Sequence, residues 1–220
     1  MSLALKGVPI HFGPFLVTSQ VFHLTPLTFA LVNLKPILPG HVLVSPRRRV
    51  PRVSELTAAE TSDLFLTVRR VGRMVERVYG ASSLNIAVQD GVDAGQSVAH
   101  VHTHIIPRKK ADLDYRGGTD AVYEMLDGEE GDLGKFHESH CADLAEERPV
   151  NGEAPKQLSQ EQGGLQGEIR EQVRRQEQNG DGRRTRFPAV DNEERKPRSL
   201  EEMEAEAEML AKEMEKEPLD

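Results

Sequence analysis

The 220-residue sequence contains one cysteine, no tryptophan and an aromatic content of only 5%. A single cysteine, Cys141, cannot form an internal disulfide or supply the ligands of a cysteine-based zinc finger, so both kinds of small scaffold are excluded. No apolar run approaches the roughly 20 residues of a transmembrane helix, and residues 1–15 lack the long apolar segment of a secretory signal. We therefore predict no membrane partner and a cytoplasmic protein, with the nucleus as a second compartment.

Charge and apolar content divide the chain into three segments. Residues 1–126 carry 14 basic and 10 acidic side chains, residues 127–186 carry 9 and 14, and residues 187–220 carry 5 and 12. In the middle segment, 8 of 60 residues are Leu, Ile, Val or Phe, which is too little apolar surface to offset the conformational entropy of folding. We expect a disordered, low-complexity insert over 127–186. The segment and helix over 187–220 then complete the domain formed by 1–126.

A long helix is predicted over 58–79. It begins at a capping box formed by Thr57 and Glu60, carries one apolar stripe, and is followed by Gly80 as a C-cap. Its arginines lie off that stripe, so we expect the helix to pack one face on a sheet and to show a basic outer face. These arginines are Arg69, Arg70, Arg73 and Arg77.

A second helix is predicted over 200–216, after a capping box of Ser199 and Glu202. Its weak apolar stripe comprises Leu200, Met203, Met209, Leu210 and Met214. Short apolar or alternating runs bounded by Gly and Pro predict strands. These runs are 29–33, 41–44, 84–89 and 98–106.

Three histidines recur at every second position within the last of these strands. Side chains alternate between the two faces of a strand, so His100, His102 and His104 are expected to share one face. Imidazoles are costly as packing material because each has polar nitrogens to satisfy. Three interpretations compete. The triplet is a solvated or tag-like stretch, a zinc or copper site, or a site of phosphoryl or nucleotidyl transfer with one histidine as nucleophile. The triplet alone does not decide between the last two.

The surroundings of the triplet resemble the histidine triad (HIT) family, and within it the Fhit-like diadenosine triphosphate hydrolases. The triplet fits the pattern His-φ-His-φ-His-φ-φ, in which φ is apolar. The other matching motifs are FALVN at 29–33, KP at 35–36, PGHVLV at 39–44, QDG at 89–91, AGQ at 94–96, AVYE at 121–124, FPA at 187–189 and EEMEAEA at 201–207. The resemblance implies an α+β fold. Its HIT-like antiparallel sheet would carry one long packed helix and a C-terminal helix, and would extend across a homodimer.

The same resemblance implies the hydrolysis of diadenosine triphosphate to AMP and ADP through a covalent nucleotidyl-histidine. His102 would attack the α-phosphorus, His100 and His104 would flank the transferred phosphate, and His41 would support them from the facing strand. The implied substrate-binding residues are Asn33, Gln89, Gly95, Gln96, Ser97 and Val98. In this assignment Asn33 holds the ribose hydroxyls, while Gln89 and the 95–98 loop hold the phosphates.

The expected partner is a small dinucleoside polyphosphate, with no nucleic acid. Mg²⁺ or Mn²⁺ would assist by neutralising the substrate phosphates, without a tightly bound cofactor and without metal-ligating residues in the protein. Three alternatives stay open on the sequence. They are a nucleoside phosphoramidate hydrolase, a nucleotide-binding signalling module whose output is the bound complex, and a metal-dependent protein that uses the triplet as ligands.

Overall fold

The computed structural model describes residues 9–127 and 198–218, and a five-stranded sheet forms its centre. The strands are β1 (His11–Phe12), β2 (Phe15–Leu16), β3 (Val21–Leu24), β4 (Thr28–Val32), β5 (Val42–Pro46), β6 (Ser83–Val88) and β7 (Thr103–Arg108). The helices are α1 (Ala58–Tyr79), α2 (Ala121–Asp127) and α3 (Leu200–Met214). The sheet has the order β3-β4-β5-β7-β6 with antiparallel neighbours throughout, and β1 and β2 form a separate hairpin. The predicted α+β class with an antiparallel sheet is confirmed.

Helix α1 has the predicted bounds, because its start and stop are encoded locally. The Thr57 hydroxyl accepts a hydrogen bond from the Glu60 amide, and the Glu60 carboxylate accepts one from the Thr57 amide. Gly80 closes the helix in the left-handed region, at a φ of 59°. The apolar face packs on β4, β5 and β7 and forms the largest buried cluster of the protein.

The arginines of α1 lie off its buried face, as predicted, and two of them bind the C-terminal segment. Arg77 donates to the carboxylates of Glu213 and Glu217, the latter at 2.9 Å from Nε. Arg70 donates to the carbonyl oxygens of Met214 and Glu217 at 3.2 and 3.0 Å. These side chains hold the end of the C-terminal segment, and their partners lie 136 to 147 positions further along the chain.

Helix α3 confirms the predicted capping box, in which Ser199 accepts from the Glu202 amide and the Glu202 carboxylate accepts from the Ser199 amide. The helix ends at Met214, two residues before the predicted bound. Its buried residues are Met203, Ala207, Leu210, Ala211 and Met214. Met209, assigned to the apolar stripe, is 37% exposed, so it lies outside the buried face of the helix.

Strand β7 begins later than predicted. Residues 98–102 bend: the His100 amide donates to the Val98 carbonyl at 2.7 Å, and the Val101 amide donates to the Val50 carbonyl at 2.7 Å. The strand then runs from Thr103 through Pro107, where the prediction had closed it. Two of the three histidines therefore precede the strand and are held by individual backbone contacts.

The predicted insert lies outside the described residues except for Asp127, which is the last residue of α2. The same holds for residues 187–197 of the predicted C-terminal segment. Within the described ranges, none of the helices combines the length and the apolar character needed to cross a membrane.

Candidate active site

Four histidines meet where β7 begins and β5 starts beside it. His41 directly precedes β5, and its ring centroid lies 5.2 Å from that of His104. The rings of His102 and His104 are 5.0 Å apart, and Phe12 of β1 lies 5.6 Å from His100 and 5.1 Å from His102. All four histidines are at most 1% exposed. The structure thus brings together the four residues that were predicted to act at one site.

One ring nitrogen of His102 has no hydrogen-bond partner among the described residues. Its Nδ1 lies 2.8 Å from the carbonyl oxygen of His100. Because a carbonyl only accepts hydrogen bonds, Nδ1 carries the ring proton, and Nε2 keeps an unshared electron pair. This Nε2 is buried, and no group of the described residues forms a hydrogen bond with it. Burial lowers the pKa of His102 and keeps the ring neutral, the form in which imidazole is a nucleophile.

His104 has an N–H group without an acceptor among the described residues. The chain of hydrogen bonds through His41 shows which ring nitrogen carries this proton. The Ile37 amide donates to Nδ1 of His41 at 3.1 Å, so the His41 proton lies on Nε2. That Nε2 donates to Nδ1 of His104 at 2.9 Å, which leaves the His104 proton on its own Nε2. Within residues 9–127 and 198–218 this buried N–H has no acceptor. Burial, together with the neighbouring His102 and His41, lowers the pKa of His104 well below its ordinary value.

A lone pair and a donor, both buried, therefore stand side by side. We call His102 and His104 the open pair, and His41 and His100 the supporting pair. An unsatisfied buried polar group costs about 1–3 kcal/mol, so two of them in one place indicate a site that is completed by a ligand. A phosphoryl group fits both, because its phosphorus is an electrophile and its oxygens are acceptors.

Both ring nitrogens of His100 are in use. Its Nδ1 accepts from the Gly13 amide at 3.0 Å, and its Nε2 donates to the Pro46 carbonyl at 2.8 Å. Burial lowers the pKa of His100 to about 4, so the ring is neutral at pH 7. That this ring flanks the phosphate stays a prediction, and in the structure both of its nitrogens contact main-chain groups. His100 contributes to the site through its carbonyl, which orients His102.

Asn33 lies against His41. Its Oδ1 accepts from the Lys35 amide at 3.0 Å, and its Nδ2 lies 3.3 Å from Nε2 of His41. The residue is 1% exposed. Its contact with ribose hydroxyls stays a prediction.

Gln89 and Gly95 lie close to each other in the loop that follows β6. The Gln89 amide nitrogen donates to the Leu126 carbonyl at 3.1 Å, and its buried Oε1 has no hydrogen-bond partner in the described chain. Gly95 has a φ of +86°, and a Cβ added there would lie 2.5 Å from the Gln89 amide nitrogen. Only glycine therefore allows this loop to close on Gln89.

The remaining predicted residues shape the loop. The Gln96 side chain accepts from the Gly91 amide at 3.0 Å and donates to the Pro51 carbonyl at 2.9 Å, so it closes the loop on itself. Ser97 is half-buried, and the side chain of Val98 packs in the apolar cluster of Phe12. The phosphate contacts assigned to these three residues stay predictions, and for Val98 they would have to come from the backbone.

The sequence-based site lacked the backbone groups that set the ring protons. Gly13, Ile37 and Pro46 each bind a histidine nitrogen through the main chain. Main-chain groups leave no residue-type signature, although the Gly13-Pro14 pair does indicate a turn. The described residues contain no group of three or more His, Cys, Asp or Glu side chains arranged to hold a metal ion.

The chain is similar to a known domain family and to several known proteins. The family model of the HIT domain matches residues 16–111. The asymmetrical bis(5'-nucleosyl)-tetraphosphatase of Schizosaccharomyces pombe is 45% identical over 201 residues, covering 91% of this chain and 92% of that protein. The bifunctional bis(5'-adenosyl)-triphosphatase/adenylylsulfatase FHIT of Arabidopsis thaliana is 53% identical over 123 residues, covering 56% and 67%. The crystal structure of the C. elegans NitFhit protein is 46% identical, with a TM-score of 0.47, and the match covers 54% of this chain and 30% of that one.

Proposed function

The chain belongs to the HIT domain family, and from this membership we propose that it hydrolyses dinucleoside polyphosphates, cleaving diadenosine triphosphate to AMP and ADP. The observation that carries the proposal is the buried Nε2 of His102, a neutral nitrogen without a hydrogen-bond partner in the described part of the chain. The relatives support the substrate class, because they include a nucleosyl tetraphosphatase and an adenosyl triphosphatase.

In the first step Nε2 of His102 attacks the α-phosphorus of the substrate. The N–P bond forms, the bond from phosphorus to the bridging oxygen breaks, and ADP leaves with the electron pair of that bond. Because Nδ1 keeps its proton, the nucleotidylated ring carries a positive charge. The His100 carbonyl, 2.8 Å from Nδ1, stabilises this charge through a charge-assisted hydrogen bond.

In the second step water attacks the phosphorus, and the N–P bond returns its electron pair to Nε2. AMP is released, and the proton of the attacking water passes to solvent. In both steps negative charge grows on the non-bridging oxygens, and the Nε2–H group of His104 is positioned to donate to one of them. His41 holds that proton on the correct nitrogen.

We further propose that Mg²⁺ or Mn²⁺ enters as part of the substrate, bound to its phosphates. Chelation would then slow the reaction by raising KM, and more substrate-bound metal would restore the rate. The measurement is KM for diadenosine triphosphate, obtained by varying the substrate at each of several fixed concentrations of free Mg²⁺. A metal that stays with the protein through dialysis against a chelator would contradict this part of the proposal.

The protein is also proposed to be a homodimer that joins two sheets. Strand β6 lies at the end of the sheet order and pairs with β7 on one side. Ile86 in its middle is 50% exposed, and a second sheet pairing with this edge strand would cover it. Sedimentation of the full chain and of the Ile86→Glu variant tests this, with a shift of the variant to monomer as the expected result.

The test of the activity follows oxygen as well as products. Purified protein is incubated with diadenosine triphosphate, diadenosine tetraphosphate and an adenosine phosphoramidate in ¹⁸O-labelled water, and products are separated by anion exchange. For the triphosphate, attack at the α-phosphorus predicts AMP with one labelled oxygen and unlabelled ADP. Faster turnover of the phosphoramidate would favour that alternative activity.

The covalent step is tested in the same preparation. Rapid quenching in alkali followed by mass spectrometry should find AMP on the peptide that contains His102. The His102→Asn variant should lose both the adduct and at least roughly 10⁴-fold in turnover, as expected for removal of a nucleophile. His11→Asn, which alters an exposed histidine of β1, is the matched control. Normal turnover by His102→Asn would end the proposal.

A further inference from the structure

We propose that Arg198 is a positioning residue for His41 and, through His41, for His104, a role that presupposes the proposed function. Arg198 is the residue before the Ser199 cap of α3, far from the histidines in sequence. Its contacts reach the turn between β4 and β5 that carries His41. The C-terminal helix would then set the geometry of the open pair as well as cover the core.

The first set of contacts fixes the start of that turn. The Arg198 amide donates to the Leu34 carbonyl at 3.1 Å, and its guanidinium Nε donates to the Asn33 carbonyl at 3.1 Å. A second guanidinium nitrogen also donates to the Asn33 carbonyl. The Arg198 side chain, 165 positions away from Asn33 in sequence, thus binds the main chain of Asn33, and the Arg198 main chain binds that of Leu34.

The turn transmits this restraint to the imidazole of His41. The Asn33 amide group lies against that ring, at 3.3 Å from Nε2. Further along the turn, the Ile37 amide donates to Nδ1 of His41, and the His41 amide donates to the Leu38 carbonyl at 3.0 Å. A shift of the main chain at Asn33 would therefore move the ring that orients His104.

A second arm reaches the other end of the turn. Arg198 forms an ion pair with Glu206, and both side chains are at most 20% exposed. The other oxygen of this carboxylate accepts from the Tyr79 hydroxyl at 2.6 Å. The Tyr79 ring packs on Gly40, where an added Cβ would lie 2.6 Å from the ring. Gly40 directly precedes His41, so the Arg198–Glu206–Tyr79 chain supports His41 from the opposite side.

Arg77 provides a matched control. It also ties the C-terminal segment to α1, through Glu213 and Glu217, with exposure of its side chain at 43%. Its contacts are at the far end of α3 from Arg198. Loss of either arginine should loosen the C-terminal segment, whereas only loss of Arg198 should disturb the His41 turn.

The experiment compares Arg198→Ala, Arg198→Lys and Arg77→Ala in the full chain. Arg198→Ala is expected to lower kcat for diadenosine triphosphate about 10- to 100-fold, the usual effect of removing an orienting partner, with KM changed less than about threefold. Arg198→Lys keeps the ion pair and should recover part of kcat. Arg77→Ala should lower the melting temperature and leave kcat within about twofold of the parent.

A second readout does not depend on activity. In ¹⁵N-labelled protein, the imidazole proton shared by His41 and His104 should be protected from exchange in the parent and in Arg77→Ala, and should be lost in Arg198→Ala. If Arg198→Ala does not fold, Glu206→Gln and Tyr79→Phe remove the second arm with little change of volume and should lower kcat about 3- to 10-fold.

Two results would overturn the inference. One is an equal loss of kcat in Arg198→Ala and Arg77→Ala, which would mean that both act through the docking of α3. The other is an unchanged imidazole proton in Arg198→Ala. Failure of the parent protein to cleave any dinucleotide would instead count against the proposed function, and the imidazole signal would still test the positioning of His41.

Discussion

The open pair and the supporting pair are made of the same residue type at the same depth, and they differ in their hydrogen bonds. His41 and His100 use both ring nitrogens, whereas Nε2 of His102 and of His104 finds no partner in the described ranges. Burial alone therefore does not mark a reactive histidine. The difference lies in which nitrogens the surrounding main chain leaves for a ligand.

Main-chain groups are suited to this sorting because they do not titrate. The Ile37 amide can only donate and the His100 carbonyl can only accept, so each dictates the ring nitrogen that holds the proton. His41 relays the choice to His104. The open pair consequently keeps one nucleophilic nitrogen and one N–H donor over a wide range of pH.

The largest effect expected from this comparison is a greater loss of kcat on substitution of His104 than on substitution of His41. His104→Ala removes the donor itself and should lower kcat roughly 10²- to 10³-fold, as for loss of a donor to a developing oxyanion. His41→Ala leaves the donor but frees its tautomer and orientation, so a loss of about 10- to 100-fold is expected. Steady-state kinetics with diadenosine triphosphate measures both. A greater loss in His41→Ala would contradict the division into two pairs.

A smaller effect concerns stability in acid. The pKa of His100 is lowered by burial to about 4, from 6.5 as an ordinary value. As pH falls below about 6.5 the unfolded chain takes up a proton that the folded chain rejects, so stability is lost down to about pH 4. The loss for this residue is up to about 3 kcal/mol, at 1.36 kcal/mol for each unit of pKa.

Urea unfolding at pH 7, 5 and 4 checks this prediction. His100→Gln should be less stable than the parent at pH 7, because a flexible amide replaces the ring between Gly13 and Pro46, but its stability should fall less toward pH 4. The surface variant His11→Gln serves as the control, and its free energy of unfolding should fall between pH 7 and pH 4 as much as that of the parent. An equal fall in all three proteins would show that His100 is not held neutral.

The smallest expected effect is a difference in stability that tests whether Tyr79 supports the turn carrying His41. Gly40 and Gly80 both have positive φ, at 86° and 59°, but an added Cβ meets the Tyr79 ring at Gly40 and nothing within 4 Å at Gly80. Gly80→Ala should cost about 1 kcal/mol for the backbone alone. Gly40→Ala should cost about 1–2 kcal/mol more, because the ring must move. Thermal unfolding measures the loss of stability in each variant. Equal losses in Gly40→Ala and Gly80→Ala would show that Tyr79 does not support the turn that carries His41.

Local signals explain what sequence reasoning predicted well. The bounds of α1 follow from the Thr57–Glu60 capping box and from Gly80, all within one helical turn of the ends. The Ser199 cap placed the start of α3 for the same reason. The clustering of His41 with the triplet came from a resemblance of motifs, since spacing alone does not bring residues 41 and 104 together.

What sequence reasoning missed involves partners that are distant in sequence or belong to the main chain. The outward arginines of α1 meet carboxylates near residue 217, and no periodicity within α1 contains that information. The strand was placed from residue 98 because alternation continues there, whereas single hydrogen bonds to Val98 and Val50 bend the chain instead. The Gln96 side chain closes its own loop, which its residue type did not indicate.

By itself the sequence determined the two long helices, four of the strands and the presence of three imidazoles at alternate positions, because these follow from periodicity and caps a few residues long. Tertiary structure alone decided which imidazole is left with a lone pair, which with a proton, and which two serve as supports. The physical reason is that an imidazole nitrogen donates or accepts according to its partner, and these partners are main-chain groups contributed by distant parts of the fold.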